Sequence, residues 1–233
     1  MNTDILSRGM AVACLLGTAG LPLPAATPLS VGHADVGIGY ESGAFNLHVH
    51  DEENDIEYSP ADALLVVGSA ALQFSPGGNL SFLGPAGTPV WVLPQQQNPE
   101  LLYLGIGAEE LVPAEWIGNI EFSLKSVSGP GEFFLWDTDP FGKPLVLMNS
   151  SNGVDAADQT RAIPGSHSDY NWGFSAPGIY SVSFEASGIH GTDGLQSSGP
   201  VAYQFEVVPE PGELAMVALG LGAMVLLLGN RKR

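Results

Sequence analysis

Apolar and polar residues alternate along much of the chain, most regularly between residues 165 and 188. The apolar positions of this stretch, which lie on both sides of a Pro-Gly pair at 177–178, are Trp172, Phe174, Tyr180, Val182 and Phe184. A period of two is typical of a strand that buries one face, and Pro-Gly is a common turn pair. The pattern therefore predicts two strands joined in a hairpin, with these side chains in the core.

A second predicted hairpin lies near residue 42, where the segments 33–40 and 44–51 flank a short polar turn. On its second strand the apolar side chains share one face, whereas Asn46, His48 and His50 share the other. The remaining apolar runs that we predict as strands are 63–67, 90–93, 101–106, 120–127, 133–137, 145–148 and 201–207.

The polar, Gly-rich and Pro-rich stretches 68–89 and 149–163 are predicted to be loops, and Pro113 is expected to start a helical turn. With about nine to eleven short strands, the chain has enough for two packed sheets. We therefore predict an all-β fold over residues 31–208, an immunoglobulin-like antiparallel β-sandwich.

Charge and composition argue against a nucleic-acid-binding protein, a disulfide-stabilised body and an enzyme. The formal net charge is −18, and three of the seven Lys and Arg residues are the last three of the chain. Such a surface repels nucleic acid, so we expect no nucleic-acid partner. The single cysteine, Cys14, precedes the body, which therefore has no disulfide. Since no nucleophile-elbow motif and no phosphate-binding loop is present, we expect a non-catalytic protein.

The N-terminal segment has the pattern of a secretory signal peptide. Arg8 precedes an apolar run from residue 10 to residue 23, and small residues follow it. A basic start, a short apolar core and a small-residue end are typical of a cleaved leader. We predict a signal peptide over residues 1–26.

The C-terminal segment combines three features in order. Pro209, Glu210 and Pro211 follow the last predicted strand, residues 214–228 are nearly all apolar or small, and the chain ends in three basic residues. We predict a transmembrane segment over residues 214–229. A helix of about 16 residues spans about 24 Å, less than the bilayer core, but a basic end can reach the cytoplasmic surface. The C-terminus would then be cytoplasmic and the acidic body outside.

The order of these features resembles a PEP-CTERM sorting signal over residues 209–233. The resemblance implies an exosortase-type enzyme as a partner, in a Gram-negative cell. That enzyme would remove the tail from the inner membrane and deliver the body to the envelope surface or an extracellular matrix. A plain C-terminal membrane anchor is the alternative.

Several motifs of the body occur in an order that resembles the choice-of-anchor M domain, also described as an actinobacterial surface-anchored protein domain. The matching segments are GHADV at 32–36, LHVHDE at 47–52, VWVLPQ at 90–95, DPFGKP at 139–144 and residues 167–180. Asp169 stands where the family usually has a second histidine. In some relatives the domain accompanies metal-uptake transport systems, which implies a link to metal handling.

Two pairs of metal-ligating residues share the spacing of two that places side chains on one strand face. They are His48 with His50 and His167 with Asp169. If neighbouring strands carry the two pairs, they could bind one zinc or manganese ion. His33 is a possible extra ligand, because its strand precedes the one with His48. The alternative is that these residues are exposed or hold loops by hydrogen bonds.

These observations predict a secreted, non-catalytic surface or matrix module. One alternative is a zinc- or manganese-binding accessory protein of a transport system. Another is a matrix protein that binds extracellular polysaccharide through an exposed aromatic row, for which the candidates are Trp91, Tyr103, Trp116 and Trp136.

Overall fold

The computed structural model describes residues 25–210 and residue 212. The predicted signal peptide, apart from its last two residues, and the predicted transmembrane segment lie outside this range. Among the described residues, no helix has the length and apolar character needed to cross a membrane.

Short strands, joined by turns and brief 3₁₀ turns, make up most of this range. In chain order the strands are β1 (Thr27–Leu29), β2 (Gly32–Glu41), β3 (Ala44–Asp51), β4 (Ile56–Tyr58), β5 (Ala63–Val67), β6 (Leu72–Phe74), β7 (Pro89–Leu93), β8 (Leu102–Gly107), β9 (Ile120–Ser128), β10 (Phe133–Thr138), β11 (Pro144–Asn149), β12 (Gln159–Ala162), β13 (His167–Asp169), β14 (Asn171–Phe174), β15 (Gly178–His190), β16 (Gly194–Ser197) and β17 (Val201–Val207). The 3₁₀ helices are Ser69–Ala71, Gly78–Leu83, Pro113–Glu115 and Ser150–Asn152. The predicted all-β class is confirmed.

The strands form three sheets. Sheet A has the order β1-β5-β17-β15-β9-β12 with β16 beside β15, sheet B the order β13-β8-β2-β3-β4, and sheet C the order β11-β10-β14-β7-β6. The pairs β1–β5, β5–β17 and β2–β8 are parallel. The prediction of an antiparallel β-sandwich of two sheets is therefore corrected in two respects: there are three sheets among the described residues, and three strand pairs are parallel. Alternation along a strand carries no information about the direction of its neighbour.

The hairpin near residue 42 is confirmed. Strands β2 and β3 pair antiparallel from Ala34 opposite Asp51 to Glu41 opposite Ala44. The two-residue loop has positive φ at both positions, 53° at Ser42 and 83° at Gly43. Positive φ at both central residues matches the right-handed twist of the strands, so local turn chemistry fixes this register.

The hairpin predicted over residues 165–188 does not form. Strand β14 lies in sheet C between β10 and β7, whereas β15 lies in sheet A between β9 and β17. The turn before β15 carries the chain from one sheet to the other. The predicted core is nevertheless confirmed, because the ring centroids of Trp172 and Phe184 lie 6.0 Å apart and those of Phe174 and Tyr180 lie 5.0 Å apart.

Sheet A thus packs against sheet C through aromatic side chains, and it also contacts sheet B, where Tyr203 Oη donates to the carbonyl of His48.

The two predicted long loops needed correction, since β6 lies within 68–89 and β12 within 149–163. Both strands are short, at three and four residues, and their polar and Gly-rich surroundings hid them.

Candidate metal centre

The outer face of sheet B, opposite its apolar core face, carries most of the histidines of the chain. We call this surface, with His33, Asp35, His48, His50, His167 and Asp169, the histidine face. The register places Asp169, Gly105, Asp35 and His50 in one row across β13, β8, β2 and β3. His167, Gly107, Gly37 and His48 form the next row.

Glycines in the middle of both rows create room above the sheet. A Cβ atom at Gly37 would overlap Nε2 of His48, and one at Gly105 would overlap Oδ1 of Asp35. The His48 imidazole therefore lies over Gly37 of β2, and the Asp35 carboxylate lies over Gly105 of β8. A larger residue at either glycine would exclude the side chain above it. This arrangement is why polar side chains on separate strands can approach one another here.

The first cluster consists of His33, Asp35, His167 and Asp169. His33 Nε2 lies 3.5 Å from Asp35 Oδ1 and 3.7 Å from Asp169 Oδ1, and His167 Nε2 lies 3.9 Å from Asp169 Oδ2. Ligand atoms of His33, His167 and Asp169 all lie within 4.8 Å of one another. The same holds for Asp35 and His167 with Glu109 at the mouth of the cluster.

Two residues outside the first cluster hold its side chains in place. Glu109 Oε1 lies 2.8 Å from Nδ1 of His167, which leaves Nε2 facing the cluster. Tyr103 Oη donates to Oδ2 of Asp169 at 2.5 Å, which leaves Oδ1 free of that contact. A carboxylate behind a histidine is the arrangement that commonly orients metal ligands and fixes their tautomer.

The second cluster consists of His48, Glu57 and Glu110, whose ligand atoms also lie within 4.8 Å of one another. His48 Nδ1 lies 3.3 Å from the carbonyl oxygen of Asn46, and its Nε2 lies 2.9 Å from Glu110 Oε1. His50 is turned toward the acidic turn after β3, where its Nδ1 lies 2.7 Å from Glu52 Oε1.

Buried polar atoms without a hydrogen-bond partner are concentrated on this face. Within the described residues six such side-chain atoms occur, and all belong to the histidine face or to Glu52 beside it. They are His33 Nε2, both carboxylate oxygens of Asp35, His48 Nε2, Glu52 Oε1 and Asp169 Oδ1. Asp35 is only 1% exposed and His48 only 3%. Five of these atoms lie 2.7–3.7 Å from an oppositely charged group, and Asp35 Oδ2 has no such contact. Because a buried polar group without a hydrogen bond destabilises a fold, this concentration favours a further group, such as a cation, that satisfies these atoms.

Burial and close contacts raise the pKa values of three side chains on or beside this face. Desolvation raises the pKa of the Asp35 carboxyl to about 6, although the nearby His33 and His167 oppose that rise. The contact with Glu109 raises the pKa of His167. Burial, with the hydrogen bond to Asp169, raises the pKa of Tyr103 to about 12, so this hydroxyl stays a neutral donor.

The four residues predicted to bind one ion do not form a single ligand set. His167 and Asp169 are grouped with His33, whereas His48 is grouped with Glu57 and Glu110 and His50 with neither set. The reason is that two strands, β8 and β2, separate β13 from β3, so their backbones lie about 14 Å apart. His33 does join a cluster, although with β13 and not with the adjacent β3.

Sequence reasoning missed Asp35, Glu57, Glu109 and Glu110 as site residues. Asp35 follows His33 at the same spacing of two that drew attention to the other pairs, and that signal was available. Glu109 and Glu110 follow the end of β8 after Ala108, and their sequence position gives no indication that they reach the histidine face. Glycines at alternate positions of β8 were a further signal of close approach.

The aromatic candidates for polysaccharide binding do not form an exposed row. Trp91, Trp116 and Trp136 are buried, and Tyr103 is only partly exposed, with its hydroxyl bonded to Asp169. A flat stacking surface needs exposed rings, so these residues do not supply one.

Pro209 and Glu210 of the predicted sorting motif follow the end of β17 after one intervening residue, and Pro211 lies outside the described residues. Comparison of the chain with protein-family models, with curated proteins and with solved structures gives no match. The immunoglobulin-like relationship and the family resemblance therefore stay predictions.

Proposed function

We propose that this protein is an exported, non-catalytic surface module that binds a transition-metal ion on the histidine face. The first cluster, with two imidazoles and two carboxylates, would hold the ion. The observation that carries the proposal is the concentration of buried, unpaired polar atoms on this one face. A cation held by the first cluster would take its ligands from the atoms of this set that belong to His33, Asp35 and Asp169.

The separations within the first cluster favour zinc. Ligands at about 2.1 Å from a tetrahedral ion lie about 3.4 Å from one another. The measured separations of His33 Nε2 from Asp35 and Asp169 are 3.5 and 3.7 Å. Histidine and carboxylate ligands also suit manganese, which is the second ion to test.

The experiment is metal analysis of the full-length chain, purified in mild detergent, stripped with a chelator and dialysed against zinc or manganese. We expect at least one bound ion per chain and a higher melting temperature, because the ion binds only the folded state. Asp169→Ala should lower the affinity. His190→Gln is the matched control, since this histidine also lies near two carboxylates, Glu115 and Asp193, but outside both clusters.

No retained metal, together with an unchanged melting curve in both metals, would contradict metal binding. The histidine face would then be a network that water completes, and the surface module would have no metal function.

We further propose that the body is a choice-of-anchor M domain sorted by an exosortase-type enzyme through the PEP-CTERM signal at 209–233. The support is the order of motifs in the sequence and the position of Pro209 and Glu210 just beyond the last strand. Metal binding outside the inner membrane would suit an accessory protein of a metal-transport system, which is how some relatives of the resembled family are placed.

A further inference from the structure

A second group of ligand atoms lies on the histidine face apart from the first cluster. His48 extends over Gly37, and its Nε2 meets Oε1 of Glu110 at 2.9 Å without hydrogen-bond geometry. Its Nδ1 faces the carbonyl oxygen of Asn46. A neutral His48 that donates from Nδ1 presents a lone pair at Nε2, so two acceptors face each other. Two facing acceptors repel each other unless a proton on Nε2 or a metal cation lies between them, and the experiment below distinguishes these two cases.

The surroundings of the second cluster attract cations. It lines an open depression of about 340 Å³, six of whose ten lining residues are Asp or Glu. Among the described residues that line it, neither lysine nor arginine is present. Carboxylates packed in this way, without a cationic side chain, create a strongly negative potential. A bound divalent ion would offset that repulsion.

We propose that His48, Glu57 and Glu110 bind a second divalent ion, of the kind that prefers oxygen ligands and six-fold coordination, such as manganese. This proposal rests on the proposed metal-binding function and adds a separate site to it. One imidazole with two carboxylates is a harder ligand set than the first cluster. The 2.9 Å separation matches adjacent positions of an octahedron, which lie about 3.0 Å apart when ligands are about 2.1 Å from the ion.

Each site combines buried and exposed side chains. His48 is 3% exposed and Glu57 and Glu110 are exposed in the second cluster, while Asp35 is 1% exposed and His167 is exposed in the first. Asp35 also lines the depression and thus lies at the boundary between the two clusters. The two exposed carboxylates leave the outer side of the second ion open to water ligands.

The test is a manganese titration of the full-length chain in mild detergent after loading with one equivalent of zinc. Free manganese is measured by the electron paramagnetic resonance signal of the hydrated ion. We expect about one manganese to bind per zinc-loaded chain. Glu57→Gln and Glu110→Gln, both at exposed positions that leave the fold intact, should each weaken manganese binding at least about tenfold without changing zinc retention.

Two further variants separate the sites. His33→Ala should reduce zinc retention and leave manganese binding, whereas His190→Gln should change neither. Zinc binding without manganese binding would overturn the second site and leave the first. Loss of both ions in either glutamate variant would show one shared site and also overturn the proposal. If wild-type protein binds neither metal, the proposed function fails together with it.

Discussion

Replacing Asp35 with asparagine should stabilise the metal-free protein while it removes metal binding. The side chain is buried, and neither carboxylate oxygen has a hydrogen-bond partner. Burial raises its pKa from 3.8 to about 6. Since each tenfold change in proton affinity equals about 1.4 kcal/mol, the ionised carboxylate destabilises the folded, metal-free state by about 3 kcal/mol.

The sign of the pH dependence follows from the direction of this shift. The folded state holds the proton of Asp35 more tightly than the unfolded state. The stability that depends on this proton is therefore complete below about pH 4 and is lost as pH rises to about 6. Asp35→Asn removes the titration, so the variant should match wild type at pH 4 and exceed it at pH 8 by about 1–3 kcal/mol. The lower end of this range allows for the cost of burying the asparagine amide away from water.

Urea denaturation of the full-length chain in detergent, followed by tryptophan fluorescence with a chelator present, measures this difference. Adding zinc should then reverse the order of stability. At a zinc concentration of about 100 times the dissociation constant, wild type gains about 2.7 kcal/mol, whereas the variant gains much less. A variant that is less stable than wild type at pH 8 with chelator present would refute the reasoning, because the carboxylate would then be supporting the fold.

Three other changes test the face, the core and the tail. Gly105→Ala should weaken zinc binding by more than tenfold in a zinc titration of the chelator-stripped chain, because the added Cβ meets the carboxylate of Asp35; unchanged binding would exclude that cluster. Phe184→Ala should lower the free energy of unfolding by about 3–5 kcal/mol, whereas Ser183→Ala on the other strand face should cost under about 0.5 kcal/mol; similar losses would mean that the face assignment is wrong. In cell fractionation, deletion of residues 214–233 should release soluble body outside the inner membrane, and alanine at 209–211 should leave full-length protein there; normal processing of that triple variant would favour a plain anchor.

The sequence by itself determined the strand faces and the local turn. Alternation gave the buried aromatic residues of β14 and β15 correctly, since burial of one face is a property of each strand alone. The hairpin of β2 and β3 was also predictable, because a two-residue loop with Gly43 at positive φ fixes the register of adjacent strands.

Only the tertiary structure decided which strands pair. The ladder hydrogen bonds of a strand are the same for any partner, so packing across the whole core selects the neighbour. That selection placed β14 and β15 in different sheets and brought β13 beside β8, about 60 residues away in sequence. The metal-ligand clusters depend on it, because His33 and Asp169 meet only when β8, with its glycines, lies between their strands. The spacing of two could indicate a pair such as His167 and Asp169 within one strand. Which residues of other strands complete the ligand set depends on the order of strands in the folded sheet.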